Sequence, residues 1–106
     1  MLLSTLLTVA GYNIIQDLGI VRGSTVRARN FGRDFIANLR NLVGGELGEY
    51  TQLQAHAREE ALQRMIQDAK RLGADAILGI GFSTSTITQG ASEIFVYGTA
   101  VKLTPK

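Results

Sequence analysis

Hydrophobic residues dominate two β-prone runs at the start of the chain, Leu2 to Val9 and Tyr12 to Arg22. The runs are separated by Ala10-Gly11, and a short glycine-containing link between such runs is typical of a β-hairpin. This pattern predicts two N-terminal strands joined by a tight turn.

A helical pattern begins at Asn30, a residue type that suits the N-cap position. Apolar side chains then recur every three or four residues, at Phe31, Phe35, Leu39 and Leu42. Gly44 and Gly45 follow, where a helix needs a residue that tolerates the left-handed conformation. The pattern predicts a short amphipathic helix with a glycine stop.

A second helical pattern starts near Tyr50, where Thr51 and Gln54 have the spacing of a capping box. Its apolar stripe is rich in alanine, at Leu53, Ala57, Ala61, Met65, Ala69 and Leu72. Small side chains permit close approach to a sheet or a neighbouring helix, although alanine is also simply a good helix former. We predict that this helix ends at Gly73.

Two further strand patterns follow, Ala76 to Thr88 and Glu93 to Leu103, with a turn at residues 89–92. The order β-β-α-α-β-β, with the helices in the middle, predicts an α+β fold. We expect a two-layer domain in which an antiparallel sheet packs on helices. At 106 residues the chain has the length of one domain, so we expect residues 1–106 to form a single unit.

The composition adds an expectation about assembly. Charged residues make up only 19% of the chain, below the ~25% that is typical of soluble domains. Depletion of charge is a feature of interface cores, so we expect part of this small surface to be covered by copies of the same chain. A less soluble monomer is the alternative.

Other features exclude classes of protein. Cysteine is absent, which excludes disulfides, thiolate metal sites and cysteine nucleophiles. A net charge of +2 is too balanced for a general nucleic-acid binder. The opening segment has no Lys or Arg and contains Ser4, Thr5 and Thr8, so it lacks the basic start of a signal peptide and the length of a membrane span. We expect a cytoplasmic protein without a membrane partner.

The glycine-rich stretch at residues 44–48 separates the two predicted helices. A phosphate-binding loop should leave a strand and precede Lys-Ser or Lys-Thr, and this stretch does neither. Two nearby acidic side chains, Glu46 and Glu49, would also repel a phosphate. We predict a structural turn in which Gly44 or Gly45 caps the first helix and Gly48 turns the chain.

Residues along nearly the whole chain resemble the signature of the YbjQ family. The matching positions are Arg33-Asp34, Ala37, Arg40, Val43-Gly44-Gly45, Gly48, Tyr50, Ala57-Arg58, Ala61, Gly73-Ala74, Ala76-Ile77-Leu78-Gly79-Ile80 and Gly98-Thr99-Ala100-Val101. The resemblance implies an α+β fold of the dodecin-subunit type and assembly into a ring-shaped homopentamer. It implies no defined activity, since members are uncharacterised, but the family is often labelled as heavy-metal-binding.

The metal label fits this chain poorly. Family members commonly carry an Asp-x-Asp-Tyr stretch after a strand glycine, and the matching run here, Gly81 to Thr84, has neither carboxylate. The densest remaining set of potential ligands is Glu46, Glu49 and His56. A zinc site needs about four N, S or O ligands. We therefore predict no metal site and no cofactor within one chain; a metal-ion site assembled at subunit interfaces is the alternative function.

Arginines are concentrated in residues 22–40, where the only acid is Asp34 and the local charge is +4. The guanidinium group suits carboxylate and phosphate. The candidates for anion binding or for contacts between subunits are Arg33, Asp34, Arg40 and Arg58. For Arg33-Asp34 and Arg58 we favour a structural role, in pairs with acids on the same or a neighbouring subunit, because buried or interface arginines are commonly paired.

Catalysis has little support, because His56 is the only histidine and the sequence pairs it with no hydroxyl and carboxylate. We expect a protein that is not an enzyme.

Four aromatic residues could stack a planar ring, although aromatics at such spacing are usually core: Tyr12, Tyr50, Phe82 and Tyr97. The sequence favours a homo-oligomeric, pentameric ring that serves as a binding or interaction module for an unknown anionic or small-molecule ligand, with nucleic acid disfavoured.

Overall fold

The computed structural model describes residues 1–27, 47–88 and 91–106. These ranges contain one helix and four strands, in the chain order β1 (Leu2–Leu3), β2 (Tyr12–Arg27), α1 (Leu47–Arg71), β3 (Ala76–Thr88) and β4 (Ala91–Pro105). The strands form one mixed sheet in the order β1-β3-β4-β2, packed against α1. The predicted α+β fold is confirmed, and the predicted helix that starts at Asn30 lies outside the described residues.

The two longest strands form the centre and one edge of the sheet. β2 pairs antiparallel with β4 from Tyr12 opposite Pro105 to Arg27 opposite Ser92. A register shift between Asp17 and Gly19 interrupts the pairing, and Gly19 has a φ of 99° there. Glycine suits this position because a side chain would strain a backbone with positive φ.

The predicted N-terminal hairpin is wrong. Only Leu2–Leu3 of the predicted strand is extended, and it pairs in parallel with Ala76 and Ile77 of β3. Backbone bonds beyond β1 continue along the same edge, where the Gly79 N–H donates to the Leu6 carbonyl at 2.9 Å. The inner side of β2 is occupied by β4, so the N-terminal segment completes the opposite edge of the sheet.

Helix α1 confirms the second helical pattern but begins before its predicted start. It includes Gly48, so the prediction that Gly48 turns the chain between two helices is wrong. It also places Thr51 inside the helix, so the predicted capping box is wrong. The predicted end is confirmed, since Gly73 has a φ of 77° and its N–H donates to the Lys70 carbonyl. No helix in the described ranges is long and apolar enough to cross a membrane.

The alanine stripe of α1 forms the core with one face of the sheet. The fully buried side chains are Ala57, Ala61, Met65 and Ala69 from the helix, and Val21, Ile77, Ile94, Val96 and Ala100 from the strands. A Cβ built on Gly23 would overlap the carbonyl oxygen of Ala61. The helix backbone thus rests directly on β2, which confirms that the alanines permit close approach to the sheet.

A second, smaller cluster lies on the opposite face of the sheet. Ala76, Leu78 and Val101 are buried there, with Val9 and Leu103 packed against them. Val101 follows the core residue Ala100, and successive side chains of a strand point to opposite faces. The N-terminal segment therefore covers one end of this face on its way from the β3 edge to β2.

Candidate binding surfaces on the helix and the sheet

A groove of about 800 Å³ is lined by residues of α1, β2 and β4. The residues of interest in its lining are Arg22, Ser24, Gln63, Arg64, Asp68 and Phe95. The groove exists because β2 is an outermost strand of the sheet and α1 crosses its helix-side face. Backbone groups of an outermost strand lack a partner strand on one side, so they need another hydrogen-bonding partner.

Arg64 supplies such a partner in the groove. Its Nη1 donates a hydrogen bond of 2.6 Å to the backbone carbonyl of Ser24. Its Nη2 lies 3.0 Å from Oε1 of Glu60, one turn earlier on the helix. The carboxylate orients the guanidinium, and the guanidinium donates to a backbone carbonyl that could otherwise accept a hydrogen bond from another strand.

The charges of the groove are partly compensated. Arg64 pairs with Glu60, and Arg71 lies 3.5 Å from the carboxylate of Asp68. The structure records no such ion pair for Arg22 among the described residues, and its side chain is exposed. Within that part of the chain, Arg22 is therefore the groove cation that is available to an external anion.

An aromatic pair lies on the sheet face opposite α1, next to the groove. The ring centroids of Phe95 and Tyr97 are 5.8 Å apart, and the ring planes differ by 31°. A Cβ built on Gly81 would lie 2.5 Å from the Tyr97 hydroxyl oxygen and 2.6 Å from Cζ. The phenol ring thus lies across the glycine of the neighbouring strand, and Tyr97 remains 42% exposed.

The strand register places polar groups around this aromatic pair. Arg22 of β2 is directly opposite Tyr97, and Ser24 is opposite Phe95. On the other side, Ser83 of β3 is also opposite Phe95. Directly opposed residues of antiparallel strands have side chains on the same face, within about 5.5 Å of each other at Cβ. A flat apolar surface is thus bordered by a guanidinium and two hydroxyls.

Most of the predicted site residues lie outside the described residues: Arg33, Asp34, Arg40, Gly44 and Gly45. Arg58 lies on α1 with an exposed side chain, between the buried Ala57 and Ala61 positions of the stripe. Whether it contacts another subunit stays a prediction. Gly48 belongs to the helix.

The aromatic residues named as stacking candidates are exposed where they are described. Tyr12, Phe82 and Tyr97 are 39%, 49% and 42% exposed, so the core assignment is wrong for these three. Sequence reasoning missed Phe95 and Gly81, which build the aromatic surface with Tyr97. A usable signal existed, because a glycine inside a strand pattern marks a close approach of another group.

The potential metal ligands do not converge in the described part of the chain. His56 is exposed on α1, and the neighbouring Glu59 accepts a hydrogen bond of 3.0 Å from Nε2 of Gln63. No group of three His, Cys, Asp or Glu side chains that could hold a metal ion occurs within the described ranges. Glu46 lies outside them.

Comparison with known proteins gives consistent matches. The sequence model of the YbjQ family, described as "Putative heavy-metal-binding", matches residues 1–104. A UPF0145 protein of Thermus thermophilus is 56% identical over 98% of this chain and 91% of its own length. A UPF0145 protein of Acinetobacter baylyi is 60% identical over 90% of this chain and 88% of its own length.

One solved structure supports the fold. A protein of unknown function from Pediococcus pentosaceus, which belongs to the DUF74 family, aligns with a TM-score of 0.64. The alignment covers 98% of both chains at 20% sequence identity. At this identity the likeness concerns the architecture alone and does not extend to the arrangement of side chains.

Proposed function

The chain belongs to the YbjQ family, and on that basis we propose that it is a single-domain, cytoplasmic protein that assembles with copies of itself into a ring and binds a ligand without catalysing a reaction. Members of the family are uncharacterised with respect to activity, so the proposal depends on the surface of this protein. The distribution of exposed apolar side chains is the observation that supports self-assembly most directly.

Thirteen large apolar side chains are exposed among the described residues, and nine of them belong to the first twenty residues. We call these nine the N-terminal apolar surface: Met1, Leu2, Leu3, Leu6, Leu7, Tyr12, Ile14, Ile15 and Ile20. Leu6, Leu7 and Ile15 are exposed by 67%, 77% and 61%. Single exposed apolar residues are common, but so many in one short segment are typical of an interaction site.

The side chains of this surface are large enough to support an assembly. Burial of a leucine or isoleucine side chain stabilises an assembly by about 1.5–3 kcal/mol, so a few such residues suffice.

The two sides of the sheet favour a ring. The outermost strands are the long β2 on one side and the two-residue β1 on the other, and they differ in sequence and length. A contact between these different sides is head-to-tail, and head-to-tail contacts form rings when the rotation closes. The family resemblance makes five copies the expected number, or 5 × 11.5 = 57.5 kDa.

Sedimentation velocity at low micromolar protein tests the assembly. We expect a single species near the mass of five chains, and a single chain of 11.5 kDa would contradict the proposal. Replacing two exposed residues in the Leu6→Ser, Ile15→Ser double variant should shift the distribution toward the monomer. The control is Leu72→Ser, which removes an apolar side chain that is 45% exposed but lies outside the N-terminal apolar surface and outside the strands.

Metal binding is the second candidate, and the description of the family model is what favours it. Since the described ranges contain no suitable cluster of ligands, the site would need ligands from a second copy or from outside those ranges. Calorimetric titration with Zn²⁺, Cu²⁺, Ni²⁺ and Cd²⁺, together with elemental analysis of protein purified without a histidine tag, would test it. Stoichiometric metal in that preparation would favour this function over metal-free assembly.

A further inference from the structure

We propose that the aromatic surface formed by Tyr97, Phe95 and Gly81 binds a mononucleotide, with the base stacked on Tyr97 and the phosphate bound by Arg22. The proposal rests on the ligand-binding half of the proposed function and identifies the ligand class. It does not depend on the number of subunits. We call this surface the Tyr97 platform.

The geometry of Tyr97 favours a planar ligand. Its ring covers Gly81, which leaves no side chain between the ring and the backbone of β3. One ring face is therefore supported by the sheet, and the 42% exposure of the residue leaves room for a ligand on the other side. Phe95 extends the surface at a centroid distance of 5.8 Å. Aromatic residues on an open sheet bind nucleobases by stacking because every base has a flat π-face.

The charge around the platform favours a ligand with an anionic group. Arg22 is directly opposite Tyr97 in the register and has an exposed side chain. The other two arginines of the groove, Arg64 and Arg71, already pair with carboxylates. A guanidinium binds phosphate with two parallel hydrogen bonds. Ser24 and Ser83 provide hydroxyls beside the aromatic pair for the polar edge of a base.

The size of the platform favours a single nucleotide over a polymer. Among the described residues, two rings and one available arginine supply one stacking position and one phosphate contact. Binding of single-stranded nucleic acid draws on a groove with several cations and several aromatic residues along the strand. The net charge of +2 on the whole chain gives little additional attraction to a polyanion.

The test is calorimetric titration of the full chain with adenosine 5′-monophosphate, adenosine, ribose 5-phosphate and hexa-adenylate at low ionic strength. We expect saturable binding of the monophosphate with one site per chain, weaker binding of adenosine, and no measurable binding of ribose 5-phosphate. No binding of the monophosphate at millimolar concentration would overturn the proposal. Binding of hexa-adenylate without binding of the monophosphate would overturn it as well.

Variants assign the roles. Tyr97→Ser should weaken binding of the monophosphate by roughly 5- to 150-fold, the range that corresponds to the loss of one stacked base. Tyr97→Phe keeps the ring and should stay within about 3-fold of the parent, since stacking does not need the hydroxyl. Arg22→Gln should weaken binding of the monophosphate by about tenfold and leave binding of adenosine unchanged. Lys70→Gln, which removes an exposed cation on α1 outside the groove lining, is the control and should change neither affinity.

Gly81→Ala tests the platform without touching an aromatic residue. The three atoms nearest to the added methyl group all belong to the phenol end of Tyr97, which must move away from the sheet. We expect a loss of binding similar to that of Tyr97→Ser, with the circular dichroism spectrum unchanged. If both Tyr97→Ser and Gly81→Ala bound like the parent, the site would lie elsewhere and the proposal would be wrong.

The same samples separate this proposal from self-assembly. If sedimentation shows a ring and calorimetry shows no binding of the monophosphate, the proposed Tyr97 platform is wrong and the proposed assembly is unaffected. If the protein is a monomer that binds the monophosphate through Tyr97, the proposed assembly is wrong and the platform is supported.

Discussion

The guanidinium of Arg64 and the backbone carbonyl of Ser24 form a 2.6 Å hydrogen bond that joins the helix to the outermost strand β2. The two residues are 40 positions apart in the chain, and their contact fixes α1 along the side of the sheet. It also removes one carbonyl of β2 from the set available to another chain. This contact is thus both a tertiary hydrogen bond and a protection against strand pairing.

Replacement of Arg64 should therefore reduce stability to a measurable extent. We expect Arg64→Ala to lower the free energy of unfolding by about 0.5–1.5 kcal/mol, the usual net contribution of such a hydrogen bond. Urea denaturation at fixed chain concentration measures the change. Arg71→Ala is the control, because its ion pair with Asp68 is long and exposed and should contribute little. Equal losses for both variants would contradict a specific role for Arg64.

The contact between Gly23 and the helix predicts a large effect of a small substitution. A Cβ at this position would overlap the Ala61 carbonyl and lie 2.6 Å from the backbone nitrogen of Met65. Backbone atoms cannot move aside without shifting the helix, so we expect Gly23→Ala to destabilise the protein by about 1–3 kcal/mol. The control is Gly81→Ala, where the nearest atoms belong to the end of the Tyr97 side chain and not to the backbone. Thermal unfolding should show a clear loss for the first variant and little change for the second.

Removal of the Thr25 hydroxyl from the core should lower the free energy of unfolding by a smaller amount. Thr25 is 3% exposed, and its Oγ1 donates to the Ala57 carbonyl at 3.2 Å. We expect Thr25→Val, which keeps the shape, to cost about 1 kcal/mol of the free energy of unfolding. Thr99→Val, on the opposite face of the sheet, should be nearly neutral because Thr99 is only half-buried. An increase in stability for Thr25→Val would show that the hydroxyl is not used.

The carboxylate of Asp75 predicts a difference between two replacements at one position. Its Oδ2 accepts a 2.9 Å hydrogen bond from the backbone N–H of Leu103, and its backbone carbonyl accepts one from the N–H of Leu2. Asp75→Ala removes the side-chain acceptor and should cost about 1 kcal/mol, whereas Asp75→Asn keeps an acceptor and should cost less. Hydrogen exchange at the Leu103 amide gives a local measurement. Faster exchange only in the alanine variant is the expected result.

The local patterns of the sequence predicted the elements that depend on near neighbours. The alanine stripe at helical spacing predicted which side of α1 packs on the sheet, and Gly73 predicted its end. Both follow from residues within a few positions of each other. The start of the helix was not predicted, because the extension through Gly48 goes against the low helix propensity of glycine.

Relationships between distant residues were not visible in the same patterns. A glycine link between two β-prone runs favours a hairpin locally, but β4 occupies the inner side of β2 and leaves the N-terminal segment to β3. The Tyr97 platform depends on a register shift between Leu78 and Gly81, which brings Gly81 opposite Tyr97. Alternation with period two shows which residues share a face but does not show such a shift.

The parallel pairing of Leu2 with Ala76 has a consequence for the order of folding on the ribosome. Translation produces Leu2 and Leu3 before their partner strand, from which about 70 residues separate them in the chain. Contacts between such distant positions form slowly, and uncovered apolar segments invite premature association in the meantime. The N-terminal strand can therefore pair only after β3 has been synthesised, and until then its leucines stay available for other contacts.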